Sequence, residues 1–179
     1  SGSLMLLQTN PSGSFWSMTY PDGQGNGCKH TSMESYTTQT GDEELHISYA
    51  RDEDSDGVSE LRYTTRSPTG SWNGHTVDGS GLGSGSDQGM SSLTVDSVGA
   101  VHIAYSGNYV DAEDPADLKY ALKPSTSGSS WSTEVVTTDT TYHVSIDVDS
   151  NDIPQQNPYL ESLVKLNGKL FNMSSSYKI

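Results

Sequence analysis

The sequence predicts an all-β protein built from about three copies of a four-stranded unit. Short segments in which apolar and polar residues alternate are separated by clusters of Gly, Ser, Thr and Asp, as expected for strands joined by turns. The same residues also recur at long, nearly constant intervals. Trp72 follows Trp16 by 56 positions (72 − 16), and Trp131 follows Trp72 by 59 (131 − 72). A self-similar period of this length indicates a repeat architecture.

The strands of the unit follow from the alternation. His46 and His102 each stand 30 positions after a tryptophan (46 − 16 and 102 − 72), inside matching alternating segments. Because an isolated four-stranded sheet has to bury its faces against neighbours, the unit is best explained as a blade. The expected fold is therefore a β-propeller type with about three blades per chain. The predicted strands are 33–40, 43–50, 59–66 and 71–77, then 90–96, 100–106, 116–123 and 131–138.

Both ends of the repeat region carry part of a unit. Within the propeller repeats at 4–155, residues 4–20 match a third and fourth strand and form a half-blade. Residues 33–77 and 90–138 are whole blades, and 143–155 form a second half-blade. Residues 156–179 form an atypical β tail, where Asn167-Gly168 predicts a hairpin near 163–171. Ser1-Gly2-Ser3 is interpreted as a cloning remnant.

The turns before two of the tryptophans share a pattern, Ser67–Trp72 and Ser125–Trp131. It resembles the Asp-box of BNR-type propellers, Ser-x-Asp-x-Gly-x-x-Trp, which is typical of the sialidase and sortilin class. Ser67 and Gly70 match, with Thr69 in the place of the aspartate, and Trp72 comes one residue early. Ser125, Gly128 and Trp131 match, with Ser127 in the place of the aspartate. The resemblance covers roughly residues 4–155 and implies a propeller fold. It implies no single chemistry, because propellers host glycosidases, lectins and scaffolds.

Composition narrows the range of partners. The chain has 23 acidic and 9 basic residues and a formal net charge of −14, which repels phosphate backbones, so no nucleic-acid partner is expected. No run of 18 apolar residues is present, and no membrane span is predicted. The single cysteine, Cys28, excludes an intrachain disulfide. The β-rich, acidic composition favours an extracellular or cell-surface location.

One acidic loop predicts a calcium site. The segment Asp52–Glu60 has the pattern Asp-x-Asp-x-Asp-Gly-x-x-Glu, in which oxygen ligands at alternate positions curl around a hard cation and Gly57 permits the sharp turn. It resembles the calcium loops of integrin-type propellers. The alternative is a solvated acidic hairpin tip. The expected ligands are Asp52, Asp54, Asp56, the Val58 carbonyl and Glu60, and a second, poorer match is Asp111, Glu113 and Asp117.

No residue set predicts catalysis. Histidines that recur in every unit are expected to be hydrogen-bonded structural residues. A sialidase needs three clustered arginines and a Tyr/Glu pair. The chain has only Arg51, Arg62 and Arg66. Two of these align with Lys119 and Lys123, which predicts that basic residues mark exposed repeat positions.

The expected function is a non-enzymatic module that binds a glycan or a protein and is stabilised by calcium. Two alternatives stay open: part of a glycan-processing hydrolase of the sialidase-like superfamily, and a scaffold that closes its propeller by oligomerisation. Closed propellers use four to eight blades. Three blades per chain, with half-blades at both ends, therefore predict a homodimer that forms a six-bladed ring.

Overall fold

The structure is a computed structural model that describes 3–9, 12–14, 16–23, 27–52, 58–79, 82, 90–108, 116–138 and 144–148, with the backbone alone of 162–166 and 169–173. These ranges contain thirteen strands and no helix, and every strand pair is antiparallel. The all-β prediction is confirmed. Within the same ranges no helix has the length and apolar character needed to cross a membrane.

Eight strands form two four-stranded sheets whose strands pair in chain order. The first sheet comprises β3 (Lys29–Thr37), β4 (Glu43–Arg51), β5 (Glu60–Arg66) and β6 (Trp72–Asp78). The second comprises β7 (Ser91–Val95), β8 (Val101–Gly107), β9 (Asp117–Lys123) and β10 (Ser132–Thr137). All eight overlap the predicted strands. The largest difference is in β3, which begins at Lys29 because that residue pairs with Ala50 beyond a bulge.

The remaining strands flank these sheets. The N-terminal hairpin pairs β1 (Leu6–Thr9) with β2 (Trp16–Thr19). The third sheet has β11 (Val144–Ile146), β12 (Ser162–Leu166) and β13 (Lys169–Met173) in the order β11-β13-β12. The β12–β13 pair lies where Asn167-Gly168 predicts a hairpin, and its pairing with β11 makes it part of the sheet that β11 begins. The predicted continuation of the half-blade, up to residue 155, lies outside the described residues.

The main core lies between the first and second sheets. Its largest fully buried aromatic side chains are Tyr63 and Tyr105. Trp131 of the second sheet packs edge-on against Tyr63 of the first, with ring centroids 5.1 Å apart. Each aromatic side chain buries a large area. A chain with only 31% hydrophobic residues can therefore still build a core.

Consecutive sheets are joined by a hydrogen bond that repeats. The Leu93 N–H of β7 donates to Ser32 Oγ of β3 (3.0 Å), and the Ile146 N–H of β11 donates to Ser92 Oγ of β7 (3.1 Å). Ser32 and Ser92 occupy the same repeat position, because each pairs with the residue two places after the repeat histidine. The first strand of each sheet therefore lies beside the first strand of the next. The described sheets do not close into a ring.

A buried charge also links the sheets. Asp78, at the end of β6, accepts hydrogen bonds from Tyr105 Oη (2.8 Å) and Lys119 Nζ (2.7 Å) of the second sheet. Only 8% of Asp78 and 7% of Lys119 are exposed. Burial first, and then the Asp78 carboxylate, raise the pKa of Tyr105, so the phenol stays protonated and donates.

The same arrangement occurs one unit earlier. Asp22 stands 56 positions before Asp78 (78 − 22), and its carboxylate accepts a hydrogen bond from Arg51 (2.6 Å) and lies 3.8 Å from Arg62. The prediction that Arg62 and Lys119 mark exposed positions is therefore wrong. Both face the preceding unit, where a carboxylate compensates the charge.

Candidate functional site

The two repeat histidines share one hydrogen bond. His46 Nδ1 lies 2.6 Å from Tyr63 Oη, and His102 Nδ1 lies 2.6 Å from Tyr120 Oη. Both imidazoles are buried, as the structural role predicted for them requires. The two histidines differ in the hydrogen-bond partner of the other ring nitrogen, Nε2.

In the second sheet the other nitrogen is also bound. His102 Nε2 lies 3.1 Å from Asp96 Oδ2, while Asp96 Oδ1 accepts the backbone N–H groups of Val98 (3.1 Å) and Ala100 (2.7 Å). Burial raises the pKa of Asp96, but the bonds from His102 and these amides outweigh it and hold the pKa below its usual range. The ionised carboxylate only accepts, so His102 Nε2 carries the proton and Nδ1 accepts from Tyr120.

In the first sheet no turn residue binds the other nitrogen. The Thr38–Asp42 turn has the same backbone bonds as the Asp96–Ala100 turn, with Thr38 in the place of Asp96. His46 lies eight positions after Thr38 (46 − 38), whereas His102 lies six after Asp96 (102 − 96). The nearest carboxylate, Glu44, has its Oε2 at 3.6 Å from Nε2, too far for a hydrogen bond. Within the described ranges, His46 Nε2 is buried without a hydrogen-bond partner.

His46 lines a cleft between the first and second sheets. The cleft has a volume of about 430 Å³, which is within the usual range for small-molecule sites. Its walls come from one end of both sheets: β4, β5 and β6 on one side, and the β7–β8 and β9–β10 connections on the other. The lining residues are Glu44, His46, Tyr63, Thr65, Ser67, Ser71, Asn73, Gly99, Val101, Lys123 and Ser125.

The cleft offers donors and acceptors around a neutral imidazole. Desolvation, and secondarily the charge of Lys123, lower the pKa of His46 to about 4. Burial raises the pKa of Tyr63, so its hydroxyl stays protonated. Because no described carboxylate fixes the tautomer of His46, its Nε2 can donate a hydrogen bond or accept one. Glu44 adds an acceptor and Lys123 a donor.

A second cleft adjoins the first at Lys123. It has a volume of about 440 Å³ and is lined by His75, Thr76, Val77, Lys123, Ser129, Ser130 and Trp131. The Trp131 Nε1 atom is buried, and no described group accepts a hydrogen bond from it. Together the two clefts form a polar surface between the sheets, to which Trp131 contributes an aromatic side chain.

Three of the predicted metal ligands, Asp52, Val58 and Glu60, lie at the opposite end of the sheets. Asp52 follows β4, and Glu60 begins β5, where it pairs with Arg51, so both belong to one connection with Val58. Asp54 and Asp56 lie outside the described residues. Among those that are described, no three His, Cys, Asp or Glu side chains are grouped so as to hold a metal.

The second predicted metal site has one described member. Asp117 begins β9, and its carboxylate accepts a hydrogen bond from Asn108 Nδ2 at 2.6 Å. Asp111 and Glu113 lie outside the described residues.

The tryptophans differ in their surroundings. Trp131 packs on Tyr63, and Trp72 packs against the cluster of Leu4, Ile47 and Tyr49, as expected for residues that join units. Trp16 is 67% exposed, which the repeat alone did not predict.

Sequence reasoning also missed Glu44 and Lys123 as site residues. The signal that could have located them is the length of the hairpin before His46. The segment from Thr38 to His46 is two residues longer than the equivalent segment from Asp96 to His102.

Protonation of His46 should make the stability depend on pH. An unfolded imidazole has a pKa near 6.5, whereas the folded one has a pKa of about 4, so between these values protons bind preferentially to the unfolded chain. Stability is therefore full above pH 6.5 and is lost as the pH falls towards 4. We expect urea denaturation to show a loss of about 2 kcal/mol between pH 7 and pH 5 that is absent in His46→Gln. An equal loss of unfolding free energy in the wild-type protein and in His46→Gln would contradict the assignment of this pH dependence to His46.

Comparison with known proteins gives no family: no family model matches the chain, and no curated protein matches it.

Proposed function

We propose that this chain is an extracellular or cell-surface module of the propeller type that binds a neutral glycan in the cleft at His46. The observation that carries the proposal is the Nε2 atom of His46, which is buried without a described hydrogen-bond partner in a residue that lines a polar cleft. Both ring nitrogens of its counterpart, His102, are bound, one by Asp96 and the other by Tyr120. A buried polar atom without a partner costs stability, so a site that retains one is suited to a ligand that forms a hydrogen bond with it.

The chemistry of the lining favours hydroxyl-rich ligands. Each sugar hydroxyl can donate and accept, which matches the His46 Nε2 atom, the acceptor Glu44 and the donor Lys123 around one cleft. An acidic ligand is disfavoured by Glu44 and by the net charge of −14. The adjoining cleft with Trp131 gives room for a second sugar, whose apolar ring face can pack on the indole.

Binding is favoured over hydrolysis by the number of carboxylates. Glycoside hydrolysis ordinarily uses a pair of carboxyl groups that flank the scissile bond. Glu44 is the one carboxylate among the described residues that line the cleft. The hydrolase alternative therefore has no specific support at this site.

The propeller arrangement is supported by the contacts that recur between units. The Ser32–Leu93 and Ser92–Ile146 bonds place first strands side by side, as blades around an axis require. The carboxylates of Asp22 and Asp78 lie beside Arg62 and Lys119, which are basic residues at equivalent positions of the following unit. The Asp-box resemblance of the turns agrees with this arrangement.

A glycan array followed by titration calorimetry tests the proposal. We expect at least one neutral glycan to bind. The variants Glu44→Gln and Lys123→Met should each lower the affinity for that glycan about tenfold or more, because each loses a hydrogen bond to a charged group. Glu134→Gln, which changes an exposed carboxylate on β10, is the matched control and should bind normally. Absence of glycan binding, or binding unaffected by the cleft changes, would refute the assignment.

We further propose that the Asp52–Glu60 connection binds calcium and stabilises the module. The support is the alternation of carboxylates with Gly57 in a connection closed by the Arg51–Glu60 pair. Millimolar calcium should raise the Tm by several degrees through binding to the folded state. The double variant Asp54→Asn, Asp56→Asn should lose the increase, whereas Asp42→Asn should keep it. Calorimetry that detects no heat of binding at millimolar calcium would contradict this.

A further inference from the structure

The second cleft, next to the one at His46, offers hydrogen-bond donors without a matching carboxylate. The indole Nε1–H of Trp131 can only donate, and its nitrogen is buried without a described acceptor. The ammonium group of Lys123, a residue that lines both clefts, is also a donor only. Glu44 lines the first cleft, whereas no described carboxylate lines the second. A ligand in the second cleft is therefore recognised best if it brings an acceptor.

An apolar wall lies beside these donors. Val77 lines the second cleft and belongs to the main core, against which the half-buried ring of Trp131 packs. Apolar surface at a binding site is best covered by an apolar part of the ligand, because this contact removes both surfaces from water. The second cleft therefore favours a substituent that combines an acceptor oxygen with a small apolar group.

The acetamido group of an N-acetylated amino sugar combines these two properties. Its carbonyl oxygen accepts hydrogen bonds, its methyl group is apolar, and it carries no charge. A hydroxyl group accepts a hydrogen bond but has no apolar part. A carboxylate accepts more strongly, but it has no methyl group, and the formal net charge of −14 disfavours an anionic ligand.

We propose that the second cleft binds an N-acetylated amino sugar whose acetamido oxygen accepts the Trp131 Nε1–H and whose methyl group packs against Val77. This inference rests on the proposed glycan site and specifies its ligand, a neutral glycan with one sugar at His46 and an acetamido sugar next to it. Because the two clefts meet at Lys123, its ammonium group can donate to either sugar.

Titration calorimetry with pairs of neutral disaccharides tests the inference. The members of a pair differ only in acetamido or hydroxyl groups, as N,N′-diacetylchitobiose and cellobiose do. In at least one pair, we expect the acetamido member to bind about tenfold or more tightly, because it alone pairs with the buried indole N–H. The variant Trp131→Phe keeps an aromatic ring without the N–H and should abolish this preference. The control Trp72→Phe, which changes the equivalent tryptophan beside the cluster of Leu4 and Ile47, should retain it.

The outcomes separate this inference from the glycan proposal itself. Equal affinities within every pair, or a preference that survives Trp131→Phe, overturn the acetamido site but leave glycan binding at His46 standing if Glu44→Gln weakens it. A preference that depends on Trp131 but not on Glu44 supports the acetamido site and contradicts the site at His46. Failure of every disaccharide to bind overturns both.

Discussion

Replacement of Asp78 by alanine should lower the free energy of unfolding by about 3 to 5 kcal/mol. The Asp78 carboxylate is the acceptor for Lys119 and for Tyr105, and all three side chains are buried at the junction of the first and second sheets. Without Asp78, the ammonium group of Lys119 stays in a largely desolvated position and loses the carboxylate that accepts its 2.7 Å hydrogen bond. Removal of one partner of a buried ion pair costs far more than the net gain from the intact pair.

Urea denaturation at pH 7 measures this loss. The control Glu43→Ala, at an exposed position on the first sheet, should change stability by no more than about 0.5 kcal/mol. The double variant Asp78→Leu, Lys119→Met should recover most of the loss, because it removes both charges together. A loss below about 1 kcal/mol for Asp78→Ala would show that water screens the pair as at a surface.

Replacement of His102 by alanine should cost more stability than replacement of His46, by about 1 to 3 kcal/mol. Both changes remove a buried ring and leave a tyrosine hydroxyl without its partner. Only the His102 change also removes the donor to the buried Asp96 carboxylate. The extra cost is the desolvation of that charged group.

Denaturation of both variants at pH 7, where His46 is neutral, allows a direct comparison. Asp96→Asn in the His102→Ala background should reduce the difference, since it removes the charge that His102 compensates. Equal losses for the two histidine variants would contradict the claim that the second ring nitrogen distinguishes the two sites.

Local sequence patterns were sufficient for the strands and turns. The alternation of apolar and polar residues in β4 and β8 predicts both strands, because successive side chains of a strand point to opposite faces. The structure buries both faces of these two strands. Turn glycines predict the connections: Gly41, Gly70 and Gly99 all have φ near +85°, which favours glycine. At Gly99 a side chain would also meet the Tyr36 hydroxyl, 3.2 Å from the ideal Cβ position.

Contacts between units were harder to predict. Lys119 looks like an exposed strand residue, and its burial depends on Asp78, which is 41 positions away in the sequence. The cleft could not be predicted from the sequence for a related reason. Aligning the units on their tryptophans and histidines places His46 and His102 together, and the two extra residues before His46 then look like turn variation. Only the path of the hairpin shows that they separate Nε2 from the turn.

We propose that this departure from the repeat makes His46, and not His102, a ligand-binding residue. The most direct test is a ¹⁵N NMR titration of the histidine side chains with a neutral glycan selected from the array. We predict that the Nε2 resonance of His46 shifts with saturation at the affinity measured by calorimetry, while both nitrogens of His102 stay unchanged. A bound glycan that leaves the His46 resonances unshifted, or that shifts those of His102 equally, would contradict the assignment of the glycan site to His46.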